Sequence, residues 1–194
     1  MSSRFGKGGV SSWLARGLER PLGREESKAM LSSRMENALN EQLTYELYSA
    51  YYYVAAAAHF DHANFKGFAH WNKLQAHEEV NHAQRFYDYI NDAGGRVILG
   101  AIDQPPSEFD SPLSVFEAAL AHERDVTRRI HSLVDLAIEE KDHATNAFLQ
   151  WFVTEQVEEE AQADEVVQQL RMAGDAPSAV LIIDRQLAQR SHTE

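Results

Sequence analysis

Glu79 and His82 stand three residues apart in a stretch otherwise built for a protein core. Phe68, Trp71, Gln75, Glu79, His82, Phe86 and Tyr89 follow one another at steps of three and four, the spacing of one helix face. That face is apolar at both ends and carries a carboxylate and an imidazole at its middle. An unpartnered carboxylate there costs several kcal/mol of desolvation, so positive charge must sit beside it.

Three more stripes share this design. Leu39, Leu43, Glu46, Ala50, Tyr53, Ala57 and Phe60 hold one acid, Glu46. Phe116, Ala119, Glu123, Val126, Ile130, Leu133 and Ala137 hold Glu123, and Leu149, Phe152, Gln156, Glu159, Ala163, Val166 and Leu170 hold Gln156 and Glu159. The two halves of the chain superimpose at an offset of 77 residues, which pairs Glu46 with Glu123, Glu78 with Glu155, Glu79 with Gln156 and His82 with Glu159. In each half, one seam acid is followed 33 and 36 residues later by two more seam polar groups. At about 1.5 Å of rise per residue, the groups of each helix hairpin lie at similar heights above or below the turn. Packing the hairpins together collects all six at the centre of a bundle.

A lone histidine on an apolar face is more often a hydrogen-bonded core residue than a ligand, and a lone seam acid means little. Six polar groups at matching heights in four helices are harder to explain that way. A structural network of acids would include Arg or Lys, and neither occupies a seam position. Carboxylates with one imidazole and one amide suit Fe(II), Fe(III) or Mn(II), and zinc less well. Glu79 is the candidate to bridge two ions.

The elements that must position these groups are all helical. Ser32 or Ser33 caps a first helix that ends near residues 61–64. A second runs from about Lys66 to Ala93 and stops at Gly94-Gly95. Residues 96–111 contain Pro105-Pro106 and no helical period, a length that can travel back along a bundle. Ser111-Pro112 opens a third helix, and Lys141-Asp142 breaks it from a fourth that runs to about Met172 and stops at Gly174. A short fifth helix spans Ser178 to Ala188. The expected fold is all-α: a four-helix bundle with a long crossover between helices two and three and a short C-terminal helix, formed by residues 30–194.

The 194 residues carry 30 acidic against 18 basic side chains, a net charge of −12. That balance argues against a nucleic-acid-binding body and favours cations as ligands or cargo. Without cysteine there are no disulfides, thiolate catalysis or zinc ribbons, which is compatible with the cytoplasm. No apolar run approaches the roughly 18–20 residues that cross a bilayer, so no membrane role is expected. Residues 1–29 differ from the rest in carrying a net charge of +3, leaving −15 on the remainder, and their glycines and prolines argue against a long helix. They read as a basic, flexible extension, or as sequence upstream of a start at Met30.

From about Leu31 onward the chain resembles the non-haem prokaryotic ferritins. The resemblance rests on Tyr45-Glu46-Leu47-Tyr48-Ser49, on residues 76–83 (Ala-His-Glu-Glu-Val-Asn-His-Ala), on His122-Glu123 and above all on residues 148–160. Gly94-Gly95-Arg96-Val97 and Pro105-Pro106-Ser107-Glu108 add to it. The resemblance implies a first ferroxidase iron site at Glu46, Glu79 and His82, and a second at Glu79, Glu123 and Glu159, with Gln156 nearby. It implies a third, transit-type site at Glu78, Glu155, Glu158 and Glu159, with Tyr53 and Trp151 beside the di-iron centre. Oxidation of Fe(II) by dioxygen or peroxide and storage of ferric mineral in a homo-oligomeric shell of 24 subunits are the implied function.

This chain has Gln156-x-x-Glu159 where bacterioferritins carry a second Glu-x-x-His, so the second iron is expected to be held more weakly. No haem is expected, since Met30, Met35 and Met172 lie near helix ends. Other readings are a rubrerythrin-type oxidase or peroxidase without storage, a DNA-protecting ferritin-like binder using the basic extension, and a metal-free helical scaffold. The first would bring more histidines or a cysteine-rich domain; the second places its metal between subunits.

Overall fold

The computed structural model describes residues 31–191. The basic extension lies outside the described residues. Five helices make up the fold: α1 (Ser33–His62), α2 (Lys66–Asp92), α3 (Pro112–Glu140), α4 (His143–Ala173) and α5 (Pro177–Leu187). Local chemistry sets their ends. Ser32 accepts from the Met35 amide, Ser111 and Ser114 form a reciprocal capping box before Pro112, and Asp142 accepts from the Thr145 amide. Asn64 (φ 64°) and Lys141 (φ 58°) take the left-handed conformation that turns each hairpin within a few residues.

α1 pairs with α2 and α3 with α4, and the two hairpins close into a bundle. Every residue of the four stripes is buried except Tyr89, which is partly so. The apolar core divides into two clusters. One holds Tyr52, Phe60, Phe68, Phe116 and Leu170; the other holds Leu39, Phe86, Ile130, Leu149 and Phe152. The polar residues of the stripes occupy the layer between them. Aromatic packing seals that layer from both ends, with Phe86 and Phe152 stacked at 4.4 Å on one side and Trp71 and Phe116 edge-on at 5.1 Å on the other.

The crossover is zipped onto α1. The Arg96 amide donates to Glu36 (3.1 Å), the Ile98 amide to Asn40 (2.6 Å) and the Gly100 amide to Thr44 (3.1 Å), while Asn40 returns a bond to the Arg96 carbonyl. Two residues of extended chain advance roughly 6.6 Å and four residues of helix about 6.0 Å. Acceptors every fourth residue on α1 therefore stay in register with every second amide of the crossover. In this way residues 96–100, which lie in neither strand nor helix, satisfy part of their backbone.

α5 docks by supplying the cap that α2 lacks. Phe65, the residue before α2, makes no side-chain cap bond, and buried Asp184 of α5 accepts from the Gly67 (2.8 Å) and Phe68 (2.9 Å) amides instead. A Cβ at Gly67 would fall 1.5 Å from the Asp184 carbonyl oxygen, so only glycine admits α5 there. Asp184→Ala should cost about 1–2 kcal/mol, the value of an N-cap. Hydrogen exchange should show the Gly67 and Phe68 amides losing protection together with α5; unchanged protection would remove Asp184 as the clasp.

Candidate metal centre

Each of the four bundle helices delivers polar groups to the central layer. Glu46 comes from α1, Glu79 and His82 from α2, Glu123 from α3, and Gln156 and Glu159 from α4. None of the six exposes more than 3 % of its surface. Ligand atoms of Glu46, Glu79 and His82 all lie within 4.8 Å of one another, and so do those of His82, Glu155 and Glu159. His82 thus belongs to two overlapping groups, with Nδ1 3.4 Å from Glu79 Oε2 and Nε2 3.9 Å from Glu155 Oε1.

Glu123 completes the layer from the opposite hairpin. Its Oε1 accepts from the Tyr53 hydroxyl, and its Oε2 accepts from Gln156 Nε2 at 3.3 Å. Gln42, one turn before Glu46, donates to Glu46 Oε1 (2.9 Å), and Gln75 donates to Glu159 Oε2 (2.6 Å). Two buried oxygens of the layer, Glu46 Oε2 and Glu79 Oε2, have no hydrogen-bond partner among the described residues. No Lys or Arg forms an ion pair with Glu46, Glu79, Glu123 or Glu159 among them. Two buried carboxylate oxygens are thus left without a hydrogen-bond donor, an arrangement native structures leave only for a reason.

Electrostatics reports the same conflict. Burial raises Glu46 and Glu123 to about 7 and Glu159 to about 8. Burial and the neighbouring Glu123, Glu46 and Glu159 charges hold Glu79 well above the usual carboxylate range. Burial pushes His82 down to about 4, which keeps the imidazole neutral, the form that ligates a metal. Four acids that resist ionisation beside a neutral imidazole are a donor set of the kind that could hold a multivalent cation.

The other sequence-selected residues fall around this layer. Tyr53 is fully buried within it, and Trp151 stands edge-on to His82 at 5.5 Å beneath the Arg85 guanidinium, 3.8 Å from the ring. Glu78 and Glu155 are partly buried at its margin; Glu158 is exposed and joins neither ligand group, though burial and then the Glu158 charge raise Glu155. Met35 is buried among apolar residues near the start of α1, and Met172 is exposed.

Sequence reasoning missed the donors. Gln42 lies off the α1 stripe, although its place four residues before Glu46 is the spacing of a side-chain pair. His122 sits between the stacked rings of Tyr45 (5.2 Å) and Tyr52 (5.4 Å), with Nε2 2.7 Å from Ser49 Oγ. It braces the turn of α3 that carries Glu123 against α1. Only its place in the His122-Glu123 motif marks it in the sequence.

Comparison with known proteins agrees with this geometry. A family profile for the ferritin-like domain matches residues 36–173. A bacterial non-heme ferritin of Staphylococcus saprophyticus is 44 % identical over 165 residues, covering 85 % of this chain and 99 % of that one. Its counterpart in Bacteroides fragilis is 45 % identical over 161 residues, covering 83 % and 100 %. The open pore ferritin of the hyperthermophilic archaeon Archaeoglobus fulgidus superimposes with a TM-score of 0.82 at 48 % identity, covering 83 % of this chain and 99 % of its own. With a five-helix fold and a buried carboxylate-histidine layer, this chain belongs to the ferritin family, among its non-haem members.

Proposed function

We infer that the chain stores and detoxifies iron by oxidising Fe(II) with dioxygen or peroxide at a pair of ions held within one bundle. The observation that carries this reading is the donor set: four buried acids and one neutral imidazole, with two carboxylate oxygens unpartnered and, among the described residues, no buried Lys or Arg to pair them. Fe(II) is the substrate. Glu46, Glu79 and His82 hold the first ion, and Glu79, Glu123 and Glu159 the second, Glu79 being shared. Gln156 contributes its amide to Glu123, orienting that carboxylate toward the centre.

Each Fe(II) gives up one electron, and two reduce dioxygen to hydrogen peroxide with uptake of two protons. Protons released by the acids as metal binds supply that demand locally. Tyr53 adds a further electron source, since its hydroxyl proton can pass to Glu123 as the ring is oxidised. Glu78, Glu155, Glu158 and Glu159 then form the third site, on the way to a mineral kept in a shell of 24 subunits.

Size measurement combined with Fe(II) and oxygen consumption tests the reading. The assembled protein should oxidise Fe(II) fast up to two ions per subunit and keep the ferric product in solution within a large particle. Fe(II) oxidation no faster than in buffer alone would reject it.

A further inference from the structure

Three residues beyond the end of α5, Arg190 turns its side chain back into the bundle. His70 Nε2 donates to its carbonyl at 2.8 Å, which anchors the backbone against α2. The guanidinium Nη2 donates to Glu78 Oε2 (3.1 Å) and Gln162 Oε1 (2.6 Å), and Nη1 donates to Gln75 Oε1. Gln75 passes the contact on, donating its own amide to Glu159 Oε2 at 2.6 Å. One guanidinium is thus bonded directly to Glu78 and, through a single amide, to Glu159. Side chains of the Arg190–Glu78 pair are each only 16 % exposed.

A cavity of about 360 Å³ opens beside this contact, lined by Trp71, Glu165, Gln169 and Arg190 among others. Gln169 Oε1 in that wall is buried and receives no hydrogen bond among the described residues, while Gln169 Nε2 donates to Glu165 Oε1 at 3.1 Å. The Arg190 guanidinium lies 5.1 Å from the centroid of Trp71, whose ring is common to both places. An acceptor without a donor, a neighbouring carboxylate and an aromatic face make a second seat for a guanidinium.

We propose that Arg190 is an internal cation that occupies the Glu78–Glu159 side of the third iron site and withdraws into the Gln169 cavity when a metal ion arrives, so setting how tightly that site holds iron. The proposal rests on the reading of Glu78, Glu155, Glu158 and Glu159 as an iron site. Arginine cannot relieve the conflict by losing its proton, so the guanidinium and the ion must exchange places. The exchange lowers the affinity of the third site through Glu78 and, by way of Gln75, through Glu159, which the second ion shares; Arg190 makes no contact with Glu46, Glu79 or Glu123. Iron passing from the oxidation centre therefore meets a site that binds it weakly and lets it go.

Zn(II) titration by calorimetry of the full-length, metal-free assembled protein tests this without any redox step. Two tight binding events per subunit and a weaker third are expected in the wild type. In Arg190→Gln the third event should tighten by roughly tenfold, the first should stay unchanged within about twofold, and the second, which shares Glu159, should change by less than the third. Gln169→Leu, which removes the second seat, should weaken the third event instead; a merely structural tether for α5 predicts no such opposite pair. Equal third-site affinity in wild type and both variants would overturn the exchange while leaving the iron site intact. No third event in any of the proteins would overturn the proposal together with the third-site reading beneath it. Loss of the first two events in the wild type would instead count against the oxidation centre itself.

Discussion

Replacing Glu79 with alanine is expected to abolish fast Fe(II) oxidation, by ~100-fold or more, while leaving assembly intact. Changes only in the groups that support metal ligands already cost about 10–100-fold in affinity or activity, so losing a ligand shared by two ions must cost at least as much. Glu79 sits within ligand distance of Glu46 and His82 and is electrostatically tied to Glu123 and Glu159. The fold has little reason to suffer, because Glu79 accepts no hydrogen bond at Oε2 and its charge is opposed by three neighbouring acids. Glu79→Gln keeps the shape and should give the same kinetic result. Rapid-mixing oxidation at two Fe(II) per subunit, beside light scattering for particle size, reads both halves. Wild-type kinetics in either variant would place the reaction elsewhere.

The bundle was legible in the sequence because each helix carries a complete apolar stripe and ends on a residue whose chemistry stops it. Glu46 and Glu123 stand out for the same reason, as charges inside stripes that bury every other member. The fourth helix was legible in its seam pair, Gln156 and Glu159. Residues whose role depends on a partner far along the chain were harder to see. Asp184 is one acid in an apolar segment, and nothing near it reveals that the N-terminus of α2, more than a hundred residues earlier, lacks a cap. Gly67 looks like a helix weakness until α5 is placed against it. Arg190 carries no signal at all, since its acceptors come from two helices and its position past α5 has no periodicity to read. Glu158 differs again: helical spacing sets it beside Glu155, yet it faces solvent.

A metal-free protein with this centre should be destabilised by raising the pH, and metal should cancel the effect. Glu46 and Glu123 at about 7, Glu159 at about 8 and Glu79, also held well above the usual carboxylate range, all hold protons more tightly folded than unfolded, where a glutamate loses its proton near pH 4.5. The folded state then binds more protons than the unfolded one, so stability falls as pH rises toward the folded values. His82 and His122, both held near 4 by burial, act in the opposite sense between about 4 and 6.5, where the unfolded chain takes up the protons. Above pH 6.5 the histidines no longer contribute and the acids act alone. Each titrating acid contributes a slope of up to about 1.4 kcal/mol per pH unit. Between pH 6.5 and 8 the metal-free protein should therefore lose several kcal/mol, or roughly 5–10 °C in Tm for a chain of this size. Divalent ions replace the protons, so saturating Zn(II) should flatten the dependence and release protons on binding, more of them at pH 6.5 than at pH 8. Glu46→Gln with Glu123→Gln removes two of the titrating groups, and this double variant should be more stable than wild type at pH 8 in the absence of metal. Calorimetric scans at the two pH values decide the matter. A metal-free Tm that stays level or rises from pH 6.5 to 8 would mean the acids are ionised and accommodated without help, and a cage that is content with its own charge has no need of iron.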